Sequence, residues 1–116
     1  MATLTEHAHC ILHDGGATWA PGRAAPSEGF MVSLAGTEVR IPAAEFTDTV
    51  LGRFQLEHAG RLAADDRLYY GAWLDGPTVY LDLSLCITDR TAALHTARAE
   101  HQRAVFDLST SSSVFT

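Results

Sequence analysis

The fold is decided by residues 68–108, whose sequence is LYYGAWLDGPTVYLDLSLCITDRTAALHTARAEHQRAVFDL. Two runs of alternating residues, 68–74 and 78–87, lie on either side of a turn signal at Asp75-Gly76-Pro77. Alternation of this kind around an Asp-Gly pair is typical of a β-hairpin. The stretch therefore predicts a hairpin, to which a helix and a further strand are added.

The alternation also assigns the hairpin side chains to two faces, because successive residues of a strand point to opposite sides of a sheet. With Asp75-Gly76 as the turn, one face carries the apolar set Leu68, Tyr70, Ala72, Leu74, Val79, Leu81 and Leu83. The opposite face carries Tyr69, Gly71, Trp73, Thr78, Tyr80 and Asp82. In this register Tyr69 lies directly across from Asp82.

Downstream of the hairpin, the sequence predicts a helix and a returning strand. Thr88 or Asp89 is placed to cap the helix. The helix face directed at the sheet comprises Ala93, Leu94, Ala97 and His101. Residues 104–108 then alternate as a strand, and a polar turn follows.

Upstream, residues 30–34 and 39–41 alternate around Ala35-Gly36, which predicts a second hairpin with Phe30, Val32, Leu34, Val39 and Ile41 on its buried face. Thr47 is a plausible N-cap for a helix that runs to about residue 58, with Gly60 placed to end it. Residues 1–29 are predicted to be a loop-rich N-terminal arm with a short strand at 17–19.

Together these elements predict one α+β domain covering residues 1–116. The predicted order is β-β-α-β-β-α-β, with a mostly antiparallel sheet and the helices packed on one face. A chain of 116 residues, 47% of them hydrophobic, is long enough for one core.

Charge and composition exclude several classes of function. Fourteen acidic residues outnumber eight basic ones, and this balance argues against direct nucleic-acid binding, which needs a cationic surface. No apolar run is long enough to span a membrane, and the first residues lack the features of a signal peptide. Two cysteines are too few for a disulfide scaffold. We therefore expect a cytoplasmic protein with reduced thiols.

Four N-terminal residues are candidate metal ligands: His7, His9, Cys10 and His13. On an extended segment the three histidines would share one side, and imidazole and thiolate groups bind zinc and copper. Their spacing matches no closed tetrahedral pattern, and no second ligand pair follows at a suitable distance. We therefore predict no metal ion and no other cofactor, with these residues lying on an edge strand.

No serine lies in a nucleophile elbow, so the catalytic candidates are an acid and a thiol. Asp82, near Tyr69 and Tyr80, would be a buried acid of raised pKa if it served catalysis. The alternative, which we favour, is a Tyr–Asp hydrogen bond that orders the sheet. For Cys86 we predict a buried, inert thiol rather than a partner of His95 or His101.

The rings of Tyr69, Trp73 and Tyr80 form the most informative polar-aromatic group. Exposed rigid rings are characteristic of recognition surfaces, so this group, with Asp82, is the predicted binding surface. The other interpretation is a second core, covered by the helix at 47–58 or by the N-terminal arm with Trp19. The sequence leaves both open.

About 100 residues of the chain resemble a small uncharacterised family of actinobacterial phages, plasmids and integrated mobile elements. The resemblance is carried by Gly15-Gly16-Ala17-Thr18, Gly29-Phe30-Met31-Val32-Ser33-Leu34, Gly71-Ala72-Trp73-Leu74-Asp75, Val79-Tyr80-Leu81-Asp82 and Gln102-Arg103-Ala104-Val105-Phe106-Asp107. It implies an accessory gene that modulates a host protein of defence or replication, and it supplies no catalytic residues.

The functional expectation is a non-enzymatic, cytoplasmic protein-binding module, with a protein partner or a homodimer on its aromatic face. The alternative is a small hydrolase or metal-binding enzyme that uses the N-terminal histidines or the Tyr69/Asp82 face. An enclosed polar pocket holding Asp82 and at least two histidines would favour the enzyme. A flat, exposed aromatic patch would favour the binding module.

Overall fold

Three helices pack against one open sheet of seven strands in the computed structural model, which describes residues 3–116. The elements follow the order α1 (Leu4–Asp14), β1 (Gly16–Trp19), β2 (Phe30–Ser33), β3 (Val39–Pro42), a 3₁₀ turn (Ala43–Glu45), α2 (Asp48–Ala64), β4 (Leu68–Asp75), β5 (Thr78–Ile87), α3 (Arg90–Ala99), β6 (Ala104–Asp107) and β7 (Ser112–Phe115). The strands are ordered β1-β4-β5-β2-β6-β7 across the sheet, and β3 also pairs with β5.

The predicted α+β class and the single domain with a mostly antiparallel sheet are confirmed, since each described pair of strands is antiparallel. The predicted order β-β-α-β-β-α-β was incomplete. It omits α1 and β7, and it left β1 inside the N-terminal arm. The additional strands, β1 and β7, are the two edges of the sheet and are only four residues long, so their alternation gives a weak sequence signal.

The turn between β4 and β5 is formed by Gly76 and Pro77 rather than by Asp75 and Gly76, because Asp75 pairs with Thr78. Gly76 has a φ of 56°, whereas the ring of Pro77 holds its φ near about −65°. A type II′ turn needs positive φ only at its first central residue, so it accommodates this Gly-Pro pair.

The corrected turn shifts the register of the hairpin by two residues. Tyr69 lies across from Ser84, not from Asp82, and Asp82 lies across from Gly71. A shift of two residues leaves every side chain on its predicted face, because the side-chain period of a strand is two. The predicted faces of β4 and β5 therefore hold, while the predicted Tyr69–Asp82 pair does not.

β2 and β3 do not form the predicted hairpin but lie end to end along one edge of β5. β2 pairs with residues 84–87 of β5, and β3 pairs with residues 78–81. Thr37 bridges the gap: its Oγ1 accepts a hydrogen bond from the Leu83 N–H at 3.1 Å and donates to the Leu34 carbonyl at 2.9 Å. Backbone groups of β5 are thus satisfied across the break, and β5 is long enough to pair with both strands.

Residues 4–14 form a helix, which corrects the predicted loop-rich arm and edge strand. Thr3 is the N-cap, and its Oγ1 accepts from the Glu6 N–H at 3.1 Å and donates to the Glu6 carboxylate at 3.2 Å. Gly15 ends the helix with a φ of 91°, as an αL cap requires. Ala8 and Ile11 lie on its buried side.

α2 begins as predicted at Thr47, whose Oγ1 accepts from the Val50 N–H at 3.3 Å. It does not end at Gly60 but continues to Ala64. Leu62 lies beyond the glycine and is buried in the core. Its burial outweighs the cost of about 1 kcal/mol that glycine adds within a helix.

α3 begins at Asp89, which accepts from the Ala92 N–H at 2.8 Å, and it buries Ala93 and Ala97 as predicted. His101 is not part of its buried face. The helix ends at Ala99, and His101 follows it as an exposed residue with a φ of 57°.

Two apolar clusters hold the helices to one face of the sheet. Beneath α1 and α2, the larger cluster includes Ile11, Leu51, Phe54, Tyr70, Leu81 and Leu83. Beneath α3, the smaller cluster consists of Val32, Ala93, Ala97 and Val105. Val32 pairs with Leu85, which packs against the larger cluster, so all three helices share this face.

Within residues 3–116, no helix is long and apolar enough to cross a membrane.

Replacing a leucine of β5 by alanine tests whether the side chain points into the core. Leu83 is fully buried, so Leu83→Ala should lower the free energy of unfolding by about 2–5 kcal/mol in urea denaturation. Leu56 on α2 is 80% exposed, and Leu56→Ala should change stability by less than about 0.5 kcal/mol. Equal effects of the two substitutions would contradict the assignment.

Candidate functional site

The face of the sheet directed away from the helices carries the predicted binding residues. Its side chains alternate with those of the two apolar clusters. We call this surface the open face, and it comprises Met31, Ser33, Tyr69, Gly71, Trp73, Tyr80, Asp82, Ser84 and Phe106. Trp73 is 46% exposed and Phe106 is 42% exposed.

The aromatic side chains do not form a second core beneath α2 or Trp19. α2 packs on the opposite face, and Trp19 is buried there beside Tyr70, with ring centroids 5.6 Å apart. Trp19 also donates its indole N–H to Gln55 Oε1 at 3.2 Å. Neither α2 nor Trp19 therefore covers the rings, whereas Arg23 of the N-terminal arm lies over one of them, Tyr69.

Two of the three rings on the open face stack on each other, and two of the three lie beneath an arginine. Trp73 and Tyr80 are a cross-strand pair that stacks with centroids 4.4 Å apart and planes inclined by 14°. The guanidinium of Arg40 lies over the Tyr80 ring at 5.5 Å, and that of Arg23 lies over Tyr69 at 4.8 Å. Stacking fixes the Trp73 indole, so it presents a preformed apolar plane.

Asp82 is buried at the centre of the open face, where two serines donate hydrogen bonds to its carboxylate. Ser33 donates to Oδ2 at 2.7 Å, and Ser84 donates to Oδ1 at 3.0 Å. In the sequence these serines were considered only as nucleophiles and rejected, and here they replace the expected tyrosine partner of Asp82. Ser33 reaches Asp82 because β2 pairs with β5, where Ser33 lies across from Ser84, two residues along the strand from Asp82.

Burial raises the pKa of Asp82 above its ordinary value, and the negative charge of Glu38 acts in the same direction. The hydrogen bonds from Ser33 and Ser84 oppose this rise, because they favour the charged form. The carboxyl thus lies in an environment in which loss of its proton costs more than in water.

Gly71 leaves the space that the Asp82 carboxyl occupies. A Cβ atom at position 71 would collide with Asp82 Oδ1 and would lie 3.4 Å from Ser84 Oγ. The glycine therefore serves a close approach across the β4–β5 pair rather than an unusual backbone conformation. Since it adds no side chain, it also leaves a depression in the open face.

Two hollows meet at Ser33, Trp73 and Asp82, which line both of them. The smaller has a volume of about 390 Å³ and is further lined by Glu38, Glu100 and His101. The larger has a volume of about 720 Å³ and extends over glycine and apolar residues, namely Gly16, Gly71, Met31, Ala104 and Phe106. The open face thus combines an acidic recess with an apolar one.

The N-terminal metal-ligand candidates lie on α1 rather than on an extended segment. His7 stacks on Trp19 with centroids 4.7 Å apart, whereas His9 stacks on His13 at 4.0 Å. The three imidazoles therefore do not share one side, and the expected edge-strand arrangement is wrong. Within residues 3–116, no group of three or more His, Cys, Asp or Glu side chains is placed to hold a metal ion.

Burial affects the titration of two of these residues. It lowers the pKa of His7, and the nearby Glu6 carboxylate opposes the effect. The pKa of Cys10 is raised by burial and also by Asp14, whose carboxylate accepts from the thiol at 3.3 Å. Both changes favour the neutral form of the side chain, so Cys10 lacks the electropositive surroundings of a reactive thiol.

Cys86 lies on β5 and is half-buried. Its thiol lies 3.7 Å from the Glu28 carbonyl oxygen, and burial raises its pKa. A raised thiol pKa opposes formation of the nucleophilic thiolate, in line with the prediction of an inert cysteine.

No protein-family model, curated protein or solved structure matches the chain.

Substitution of Gly71 tests the close approach to Asp82. Gly71→Ala should lower the free energy of unfolding by about 1–3 kcal/mol, because its methyl group would displace the buried carboxyl. As a control, Gly60→Ala on α2 meets no neighbouring atom and should stabilise the protein by about 0.5–1 kcal/mol. In an Asp82→Ala background the cost of Gly71→Ala should shrink, and an unchanged cost would contradict the contact.

The raised pKa of Asp82 predicts a pH dependence of stability. Between the ordinary aspartate pKa and the raised value, the folded chain holds a proton that the unfolded chain has released. The free energy of unfolding of the wild type, minus that of the Asp82→Asn variant, should therefore fall as pH rises through this interval. Urea denaturation of both proteins between about pH 3 and pH 7 measures the difference.

Asp65 provides a control of opposite sign. Its hydrogen bonds with Arg67 lower its pKa, so the unfolded chain binds the proton more tightly than the folded one. Stability relative to Asp65→Asn should rise as pH increases through the interval below the ordinary aspartate pKa. A difference that does not vary with pH for Asp82→Asn would show that the Asp82 carboxyl titrates normally.

Proposed function

We propose that this protein is a non-enzymatic binding module that docks a protein partner on its open face. The observation that carries the proposal is the Trp73–Tyr80 stack, which is exposed on a sheet face with the three helices packed on its other side. Exposed aromatic side chains held in one conformation lose little entropy when they are buried in an interface. Phe106 extends the apolar part of the same surface.

A different protein is a better occupant of the open face than a second copy of this chain. A symmetric pair would bring together two sets of carboxylates from Glu38, Asp82 and Glu100, and the chain carries a net charge of −6. Like charges across an interface are destabilising. A homodimer is therefore an outcome that the experiment below must exclude.

The alternative is a small hydrolase or a metal-binding enzyme. It would need an enclosed polar pocket in which Asp82 lies beside at least two histidines. The lining of the two hollows includes Asp82 and one histidine, His101. The binding module therefore remains the proposal.

The resemblance to proteins of actinobacterial phages and mobile elements adds a cellular context to the proposal. In that context the module acts in the cytoplasm, and its partner is a host protein of defence or replication. This part of the proposal rests on the resemblance, whereas the docking surface rests on the geometry of the open face.

Substitution of Trp73 tests the docking surface. Trp73→Ala should weaken partner binding by more than about 2 kcal/mol, or roughly 30-fold, because truncation removes the central anchor. Its circular dichroism should match that of the wild type, since Trp73 lies outside the buried clusters. Binding is measured by calorimetry with a partner purified from the host.

Leu56→Ala is the matched control, because Leu56 is an exposed apolar residue on the helical side of the molecule. It should bind the partner as the wild type does. Sedimentation velocity on the free protein should give a monomer. If the wild type is a dimer and Trp73→Ala is a monomer, the occupant of the open face is a second copy of this chain and not a different protein. If Trp73→Ala unfolds, the ring belongs to the core.

A further inference from the structure

The sheet is open, and within residues 3–116 three of its strands have an edge without a neighbouring strand. They are β1 and β7 at the two ends of the sheet, and β3, which pairs with β5 alone. In an antiparallel pair, alternate residues direct their backbone groups to the neighbouring strand, and the residues between them direct theirs away. An edge therefore presents N–H and C=O groups that a strand of another protein can pair with, unless the edge is protected.

The edges of β1 and β3 are protected. Gly15 bonds to β4, so the next residue, Gly16, directs its backbone groups outward. The Gly16 carbonyl accepts a hydrogen bond from the Cys10 thiol of α1 at 3.6 Å. On β3, Arg40 and Pro42 are the outward residues. Arg40 carries a charge and Pro42 has no N–H, and both features oppose the addition of a further strand.

The edge of β7 has neither kind of protection in the part of the chain that the structure describes. The Thr116 N–H donates to the carbonyl of Arg103, the residue before β6, at 2.9 Å. Because bonding alternates along the strand, Ser113 and Phe115 direct their N–H and C=O groups outward. Residues 108–116 contain no charged side chain and no proline. β7 thus offers two donors and two acceptors in the arrangement that an extended strand matches.

Two exposed phenylalanines lie beside this edge. Phe106 is the cross-strand neighbour of Ser113, and Phe115 follows two residues later, so all three side chains lie on the open face. Phe115 is 76% exposed. On an added strand, an apolar side chain opposite Ser113 would lie beside Phe115 and across the small serine from Phe106. The side chains therefore favour an apolar residue where the backbone favours a strand.

We propose that the partner protein adds an extended segment to the edge of β7, as an eighth strand of the sheet with apolar side chains on the open face. This rests on the proposed function, since it specifies how the docking partner is held. Phe106 and Ser113 also line the larger hollow, so the edge is continuous with the docking surface. The net charge of −6 favours a segment with basic residues at its ends.

A second copy of the chain fits this edge less well than a different protein does. If two copies paired β7 with β7 in antiparallel fashion, the two-fold axis would be perpendicular to the sheet, and both open faces would remain uncovered on the same side. The sheet contact would be limited to two four-residue strands, whereas a stable interface buries about 1,200 Å² or more. Two net charges of −6 would also repel each other.

The probe is a synthetic peptide in which three valines alternate with two threonines between terminal lysines. Methylation of the threonine amides leaves the valine edge able to donate hydrogen bonds. A matched peptide, methylated on the valine amides as well, retains no central N–H. We expect saturable binding of the first peptide in a nuclear magnetic resonance titration, and at least about tenfold weaker binding of the second.

Amide hydrogen exchange identifies the edge that the peptide occupies. Binding should slow the exchange of the Ser113 and Phe115 amides, because both donate outward from β7. Thr18 is an outward residue of β1, at the other end of the sheet, and exchange of its amide should not change.

Variants test the same assignment. Ser113→Pro removes an outward N–H and no hydrogen bond to β6, so it should weaken the peptide at least about tenfold. Thr18→Pro is the matched control on β1 and should leave binding unchanged. Phe115→Lys keeps the backbone, gives β7 a charge like that of Arg40 on β3, and should weaken binding several-fold. Circular dichroism, and retained protection of the Val114 amide against exchange, check that β7 still pairs with β6.

Four results would overturn strand addition by a partner. They are the absence of saturable binding by the first peptide, equal binding of the two peptides, equal effects of Ser113→Pro and Thr18→Pro, and a wild-type dimer that Ser113→Pro converts to a monomer. The last result would assign the edge to a second copy.

Binding of the host partner separates this proposal from the proposed function. If Trp73→Ala weakens that binding and Ser113→Pro does not, the docking surface stands and strand addition fails. If Ser113→Pro weakens it and Trp73→Ala does not, the edge of β7 binds the partner and the aromatic docking surface fails.

Discussion

Pairing of β5 along both of its edges is the constraint on which the rest of the structure depends. β4 follows one edge, while β2 and β3 together follow the other. Because β5 is held on both sides, its side chains cannot exchange faces: Leu81 and Leu83 enter the core, and Asp82 between them is directed to the open face. The hydroxyl of Thr37 keeps this pairing intact where the two shorter strands meet.

The two sides of the sheet consequently offer different environments. One is closed by three helices and is apolar throughout its centre. The other has a carboxyl at its centre, two serine donors beside it and aromatic rings around it. Gly71 makes this arrangement possible, because any side chain there would occupy the space of the Asp82 carboxyl. A buried acid without a covering helix is thus accommodated by local packing and by hydrogen bonds.

Features that depend on neighbours in sequence were predictable, and those that depend on distant partners were not. Period-two alternation predicted the faces of β4 and β5, and it placed Asp82 with the three rings. The helix α1 was missed, although Thr3 and Glu6 have the spacing of a helix start, because the glycine- and proline-rich segment that follows favoured a loop. Alternation cannot select a partner strand, so the pairing of β2 with β5 was missed. Ser33 and Glu100 reach the site only through that long-range arrangement, so neither was predicted to line it.

The topology has a consequence for synthesis of the chain on the ribosome. β1 pairs with β4 and β2 pairs with β5. Gly16 therefore cannot pair until Trp73 has been synthesised, and Phe30 cannot pair until Ile87 has been synthesised. The helices can form as they emerge, but the early strands have no partner until the later hairpin has been made. Loop closure over such separations is the slow part of assembly, whereas the hairpin itself closes within about microseconds. The strands of the first half therefore pair only after those of the second half have been made. A nascent chain stalled before β5 would expose unpaired strand edges, which favour aggregation.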